Sequence, residues 1–317
     1  MKIIRLKVPT PFYIGPVNVY LIAEDPITII DTGPKTKEAV VALKDGLRAA
    51  GFKVSDIRRI VLTHAHEDHC GLARSVRDEA KNAEVFVHDW ETGHRHSRLE
   101  HDEHKSLLVR AGVPDEEIVA LRKMYMGMRE YADAFADHEY SPLWDNAELQ
   151  FETGSLRIIH TLGHTPGSCS FIREADRTVI AGDCILKRIT PNPVLSPDPI
   201  VPAKRFPSLA EYLVSLARLR SFSPTLVYGG HGDEVNDYEE LFNRYIRAVQ
   251  ERQSQVIKLV PKEGTTAWEV AQKMFPGADD VHRFLAVSEA VAHLDLAHSE
   301  GKLGLEVSGP TEVYKPL

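Results

Sequence analysis

The stretch VLTHAHEDHCG, Val61 to Gly71, places three histidines and two acids in the six residues His64–His69. Imidazole and carboxylate are ligands for zinc, iron and manganese. On an extended chain, side chains two apart face the same way, so His64 and His66 can hold one ion together. Asp68 and His69 fall where the next helix begins. Neighbouring residues on a tightening turn diverge, so this pair reaches a second point nearby, and a helix N-terminus favours the aspartate's charge. Glu67 is then a spacer that points away.

The same residue types recur downstream at the ends of strand-like runs. RIIHTLGHTPGS offers His164, TVIAGDC ends on Asp183 and LVYGGHGDE carries His231. A lone histidine at a strand end is usually a satisfied surface or core residue, so spacing and recurrence carry the reading. His64, His66, Asp68, His69, His164, Asp183 and His231 make seven donors. That is too many for one tetrahedral ion and suits two divalent metal ions if one carboxylate bridges. A set of nitrogens and oxygens without thiolate favours zinc and also accommodates iron or manganese.

The elements that must position these residues follow a strand–helix alternation. MKIIRLKVP, NVYLIA and ITIIDTG read as strands, and Lys35–Ala50 reads as a helix with Val40, Leu43 and Leu47 on one face. Strand RRIVLT, the histidine loop, helix GLARSVRDEA and strand EVFVHD repeat the order. After a charged helical insertion at about 93–145, strands AELQFETGSLRIIHT, CSFIRE and TVIAGD, helix SLAEYLVSLARLRSF and strand TLVYGG echo the first half. The alternation predicts an α/β fold of sheets covered by helices.

From Tyr238 a long helix is expected, then helices in TAWEVAQKMF and RFLAVSEAVAHLDLAHSEGKL and a hairpin in GLEVSGPTEVY. Two helices and a ribbon outline a small winged-helix-like domain at 251–317, after a main domain at 1–250. From Glu251 onward seven Lys or Arg stand against ten Asp or Glu, a net of −3, which points to packing or a homodimer contact rather than DNA reading.

The 317 residues are 43% apolar, enough for a large core. The formal charge of −8 argues against general attraction to nucleic acid or an anionic membrane. Arg5, Lys7 and Pro9 interrupt the start before a signal peptide could form, so a cytoplasmic protein is expected. Cys70, Cys169 and Cys184 fit a reducing compartment and read as buried filler.

THAHEDH, GHTPGS, AGDC and GGHG, in this order, resemble the metallo-β-lactamase superfamily and its His-x-His-x-Asp-His motif. The resemblance covers about residues 3–245 outside the insertion. It implies an αββα sandwich with two ions at one sheet edge. His64, His66 and His164 would take one ion, Asp68, His69 and His231 the other, and Asp183 would bridge; Asp31 matches an aspartate that orients a histidine ligand. An aspartate at 183, where many true β-lactamases carry cysteine, disfavours antibiotic hydrolysis. The basic glutathione-binding end of the similar glyoxalase II branch is not visible in the closing TEVYKPL, so that branch is not the expected one. Acyl-homoserine lactonases usually carry a tyrosine where this chain has Leu186. The layout is closer to the branch with a winged-helix tail, which includes glyoxalase II-like hydrolases and a mitochondrial endoribonuclease.

A hydroxide held between two cations is a strong nucleophile at neutral pH. The expected reaction is hydrolysis of a small ester, thioester or lactone, with promiscuous action on phosphotriesters, and with Asp68 orienting the nucleophile and moving its proton. The alternatives are a nuclease of the same fold and an iron-dependent persulfide dioxygenase. A small-molecule substrate fits the acidic chain better than RNA. Met124, Tyr125 and Met128 in the insertion, with Leu186, are expected to line the substrate pocket, although the methionines serve equally as packing. His94, His96, His101 and His104 alternate with charges and are read as a solvated face rather than a third metal site.

Overall fold

A computed structural model describes residues 1–92, 102–133 and 139–317, with the backbone alone at 102 and 280. Three of the four insertion histidines, His94, His96 and His101, therefore lie outside the described residues. The first half holds β1 (Ile3–Val8), β2 (Val17–Ile22), β3 (Thr28–Ile30), α1 (Lys37–Ala49), β4 (Arg59–Val61), α2 (Glu67–Cys70), α3 (Ala73–Glu79) and β5 (Glu84–Val87). The insertion contributes α4 (Asp102–Arg110), α5 (Asp115–Met128) and the short β6 (Ser141–Pro142). Then come β7 (Glu148–Phe151), β8 (Gly154–His160), β9 (Cys169–Arg173), β10 (Thr178–Gly182), α6 (Ser208–Ser221), β11 (Leu226–Gly229) and α7 (Tyr238–Lys258). The chain finishes with α8 (Ala267–Met274), α9 (Asp280–Ser299) and the ribbon β12 (Leu303–Ser308) and β13 (Thr311–Pro316).

The strands form one sheet in the order β1-β2-β3-β4-β5-β6 and another in the order β11-β10-β9-β8-β7. Neighbouring residues on a strand point to opposite faces, and this sorts the core into layers. Ile30, Val61, Ile158, Phe171 and Ile180 fill the space between the sheets. Their chain neighbours Ile29 and Ile60 face α1 and α3 through Leu43, Leu47 and Val76. Ile159, Ile172 and Val179 face α6 and α7 through Leu216 and Leu241. The result is four layers, helix–sheet–sheet–helix, as expected. α1 is capped by Thr36, whose hydroxyl accepts from the Ala39 N–H at 3.1 Å. Its deepest residues are Ala39, Leu43 and Leu47, four apart; Val40 is only half-buried.

β3, β4 and β5 run parallel, as do β10 and β11. Parallel strands present their C-terminal ends at one edge, where loops converge. β4 ends at Val61, so the histidine loop begins just past the strand rather than on it. The expected helix over 71–80 is two pieces: α2 starts within the motif, and Leu72 breaks it from α3.

The insertion does not pack on the sandwich alone. Leu107, Leu108, Ile118 and Leu121 share a core with Val256, Val270, Val287, Val291 and Leu294 of the C-terminal helices. α7 runs unbroken through residue 250, where the sequence suggested a domain boundary. Beside this lobe, Arg205 donates to Asp295 at 2.7 and 2.8 Å and to the Tyr314 hydroxyl at 3.0 Å, and it also meets Glu312, which takes Arg110 at 2.6 and 2.8 Å. His104 is buried in α4, correcting the expectation of a solvated face there. Among the described residues, no helix is long and apolar enough to cross a membrane.

Candidate metal centre

All seven expected ligands meet at the shared edge, each just beyond a strand or at the start of α2. His66 is half-buried, and the other six are buried. His64 Nε2 lies 3.0 Å from His66 Nδ1, which lies 3.1 Å from His164 Nε2. Asp68, His69 and His231 form a second group, with Asp68 Oδ2 3.2 Å from His231 Nε2. Asp183 stands between the groups, with Oδ1 3.4 Å from His69 Nε2 and Oδ2 3.7 Å from His231 Nε2 and 3.8 Å from His164 Nε2.

The outer nitrogens decide what the inner ones can do. His69 Nδ1 is 2.7 Å from Asp31 Oδ2, His64 Nδ1 is 3.0 Å from the Thr63 hydroxyl, His164 Nδ1 is 3.0 Å from the Asn192 carbonyl, and His231 Nδ1 is 3.0 Å from the Pro16 carbonyl. Each anchor draws the proton to Nδ1 and leaves Nε2 as a lone pair facing inward. His66 is turned the other way, with Nδ1 inward. Three nitrogens so close can share at most one proton among them, and a cation satisfies all three lone pairs. His69 Nε2, His231 Nε2 and Asp183 Oδ1 are buried with no hydrogen-bond partner, which a metal ligand set explains. The donors therefore fit the divalent ions that their chemistry suggests.

Electrostatics point the same way. Burial alone would raise the Asp183 carboxyl, but the imidazoles of His231, His69 and His164 hold it well below the ordinary carboxylate range. Burial would depress His69, yet Asp183, Asp31 and Asp68 together pull its pKa well up. Three buried carboxylates in one pocket demand positive charge from protons or metal.

Asp31 holds its position in a left-handed backbone conformation, φ 63°, uncommon outside glycine. Its carboxylate takes the Thr63 N–H at 2.8 Å as well as His69, which offsets the strain. At Gly230 a Cβ would lie 2.1 Å from Asp183 Oδ1, so only glycine lets the β11 loop approach the carboxylate. The three thiols are buried and free; burial pushes Cys184 up to about 12, which leaves it neutral beside Asp183.

Sequence reasoning missed Thr63, Asn192, Pro16 and Glu91. The first three act through a hydroxyl next to the motif and two backbone carbonyls. Glu91 follows β5 and accepts from the backbone N–H groups of Ala65 and Gly167. Its signal was available: it is another acid just past a strand, like Asp31 and Asp183.

The expected pocket residues fare differently. Met124 and Tyr125 pack against the core shared by insertion and C-terminal helices, and Met128 is half-buried at the end of α5. Leu186 is buried at 3% exposure, its N–H donating to the Tyr245 hydroxyl at 2.9 Å. Polar and apolar residues of 188–192 line a cleft of about 760 Å³ with α7, α9 and the turn between α8 and α9.

The chain belongs to the metallo-beta-lactamase superfamily, whose model matches residues 13–231. It is 30% identical over 320 residues to the probable metallo-hydrolase YqjP of Bacillus subtilis (strain 168), covering 99% of this chain and 98% of that one. A crystal structure of a metallo-beta-lactamase family protein from Thermus thermophilus superposes with a TM-score of 0.84 at 28% identity, covering 99% of this chain and 98% of that one. More distantly, the chain is 21% identical over 253 residues to the atrochrysone carboxyl ACP thioesterase nsrC of Aspergillus novofumigatus (strain IBT 16806), covering 79% of this chain and 59% of that protein. The fold is thus the metallo-β-lactamase sandwich, and the site is that of a metallo-hydrolase with histidine and aspartate metal-binding clusters.

Proposed function

We propose that this metallo-hydrolase uses two divalent ions, zinc in the first place, to hydrolyse a small ester, thioester or lactone. The observation that carries the reading is Asp183, whose two oxygens face His69 on one side and His164 and His231 on the other. His64, His66 and His164 would hold one ion, Asp68, His69 and His231 the other. When bound, such ions supply Lewis acidity and make a water nucleophilic near neutral pH. Asp68 is the one carboxylate of the second group beside Asp183, and it is placed to orient that water and accept its proton. Asp31 keeps His69 in the tautomer that ligates. The thioesterase named among the distant relatives supports the thioester over the lactone.

The order of α8, α9 and the ribbon β12–β13 supports reading the segment from 251 as a winged-helix-like domain. We read it as a wall of the substrate cleft, because α9 lines that cleft and shares its core with the insertion.

Metal quantitation on the purified protein, joined to a screen of thioesters, lactones, aryl esters and phosphotriesters, tests the proposal. Asp68→Ala and His69→Ala are expected to abolish turnover of whichever substrate is found while the protein stays folded. Undiminished activity in either variant excludes the scheme.

A further inference from the structure

The 760 Å³ cleft begins one residue from the ligand set, because Asn192 lines it and also anchors His164. Arg188, Arg244 and Arg252 share its walls with Ile189, Phe275 and Leu285. Its acids are already engaged: Glu289 holds Arg252 and the Asn192 amide, and Asp279 caps α9 and holds His282. Arg244 donates to the Lys187 carbonyl, which leaves its charge uncompensated, and Arg188 has no carboxylate partner among the described residues. Guanidinium matches carboxylate and phosphate, and the volume is that of a small-molecule site. The chain's charge of −8 opposes a polyanion. We propose that this cleft binds the far end of the substrate, a small ligand carrying a carboxylate or phosphate on an apolar chain or ring.

Identifying that ligand as substrate rests on the hydrolase reading; its binding does not, and the test uses no turnover. Phenylbutyrate, phenylbutyl phosphate and uncharged phenylbutyramide are titrated calorimetrically into the metal-loaded full-length protein. At least one anion should bind about tenfold or more tighter than the amide, and Arg188→Ala/Arg244→Ala should remove that preference without changing metal content. The two anions tell carboxylate from phosphate. Equal binding of all three ligands, or a preference that survives the double substitution, overturns the assignment. So does displacement of the bound anion by an equal concentration of single-stranded oligonucleotide.

A second inference comes from Glu91, which is 1% exposed. Oε2 accepts from the Ala65 N–H at 3.0 Å and Oε1 from the Gly167 N–H at 2.9 Å. Ala65 lies between His64 and His66, and Gly167 lies three residues after His164. One carboxylate therefore ties together the two loops that carry the first group of donors. Glutamine cannot replace it, since its amide NH₂ would face one of the two N–H groups. We infer that Glu91 is a positioning residue for that group alone.

Glu91→Gln should fall from two bound ions per chain to about one, with the remaining ion released to a chelator at the wild-type rate. Gly167→Ala should do the same, because its Cβ would lie 2.6 Å from Glu91 Cγ. Retention of both ions with unchanged release, or loss of both together, overturns the inference. A wild-type protein that binds one ion overturns the two-ion proposal instead.

Discussion

At the sheet edge, seven candidate metal donors from separate stretches of chain meet, and four of their imidazoles are held by a carboxylate, two carbonyls and a hydroxyl. In the lobe formed by the insertion and the C-terminal helices, the reverse holds: aliphatic side chains meet across more than 150 residues of sequence, with a few buried ion pairs beside them. The edge is specified by residue type, because only certain side chains ligate. The lobe is specified by volume, which many apolar residues supply equally. Substitutions at the edge should therefore remove chemistry and keep the fold, whereas substitutions in the lobe away from the cleft should cost stability and leave turnover per folded molecule unchanged.

The largest expected effect breaks the edge. Asp183→Asn should lower turnover on the order of a thousandfold or more and reduce bound metal, while cooperative thermal unfolding persists. Metal quantitation beside a melting curve checks this; unchanged metal content with full activity would place the chemistry elsewhere. Next, Arg205→Ala leaves Asp295 without its cation and Glu312 with Arg110 alone, and should cost about 3 kcal/mol of stability, read by denaturant unfolding. Turnover per folded molecule should not change, and a matching fall in it would blur the distinction between the two regions.

The smallest effect sharpens the boundary behind the edge. His88 is buried against His160, with ring nitrogens 3.1 Å apart, and burial followed by the His160 charge lowers its pKa to about 4. In the unfolded chain the ring takes up a proton near pH 6.5, so between pH 6.5 and 4 the unfolded state binds more protons. The stability present above that window is lost as pH falls through it. Between pH 7.5 and 5, the wild type should lose about 2 kcal/mol more than His88→Gln. Equal losses would mean that the ring takes up its proton as readily in the fold as in the unfolded chain.

The layers and the gathering of the seven candidate donors were legible in the sequence for one reason: both are written in local patterns. Ile29–Ile30, Ile158–Ile159 and Val179–Ile180 place one residue in each layer by alternation alone, and each ligand follows a strand or opens a helix. Asn192 and Pro16 were not legible, because a backbone carbonyl has no residue type. The packing of Met124 and Tyr125 depends on helices that come more than 100 residues later, which no local window contains. The cleft beside the site is lined by the segment after Asp183 with α7 and α9, and the methionine-rich helix is not part of its lining.

The histidine anchors also divide by how freely the chain can vary. Pro16 and Asn192 hold their imidazoles through carbonyls that any residue would supply, so substitutions there are tolerated by the tautomer as long as the backbone keeps its course. Thr63 and Asp31 hold theirs through side chains, and Asp31 does so from a left-handed conformation that few residues share. Two rings of the centre can thus survive drift in the segments that support them, and the other two are bound to the identity of a single residue each.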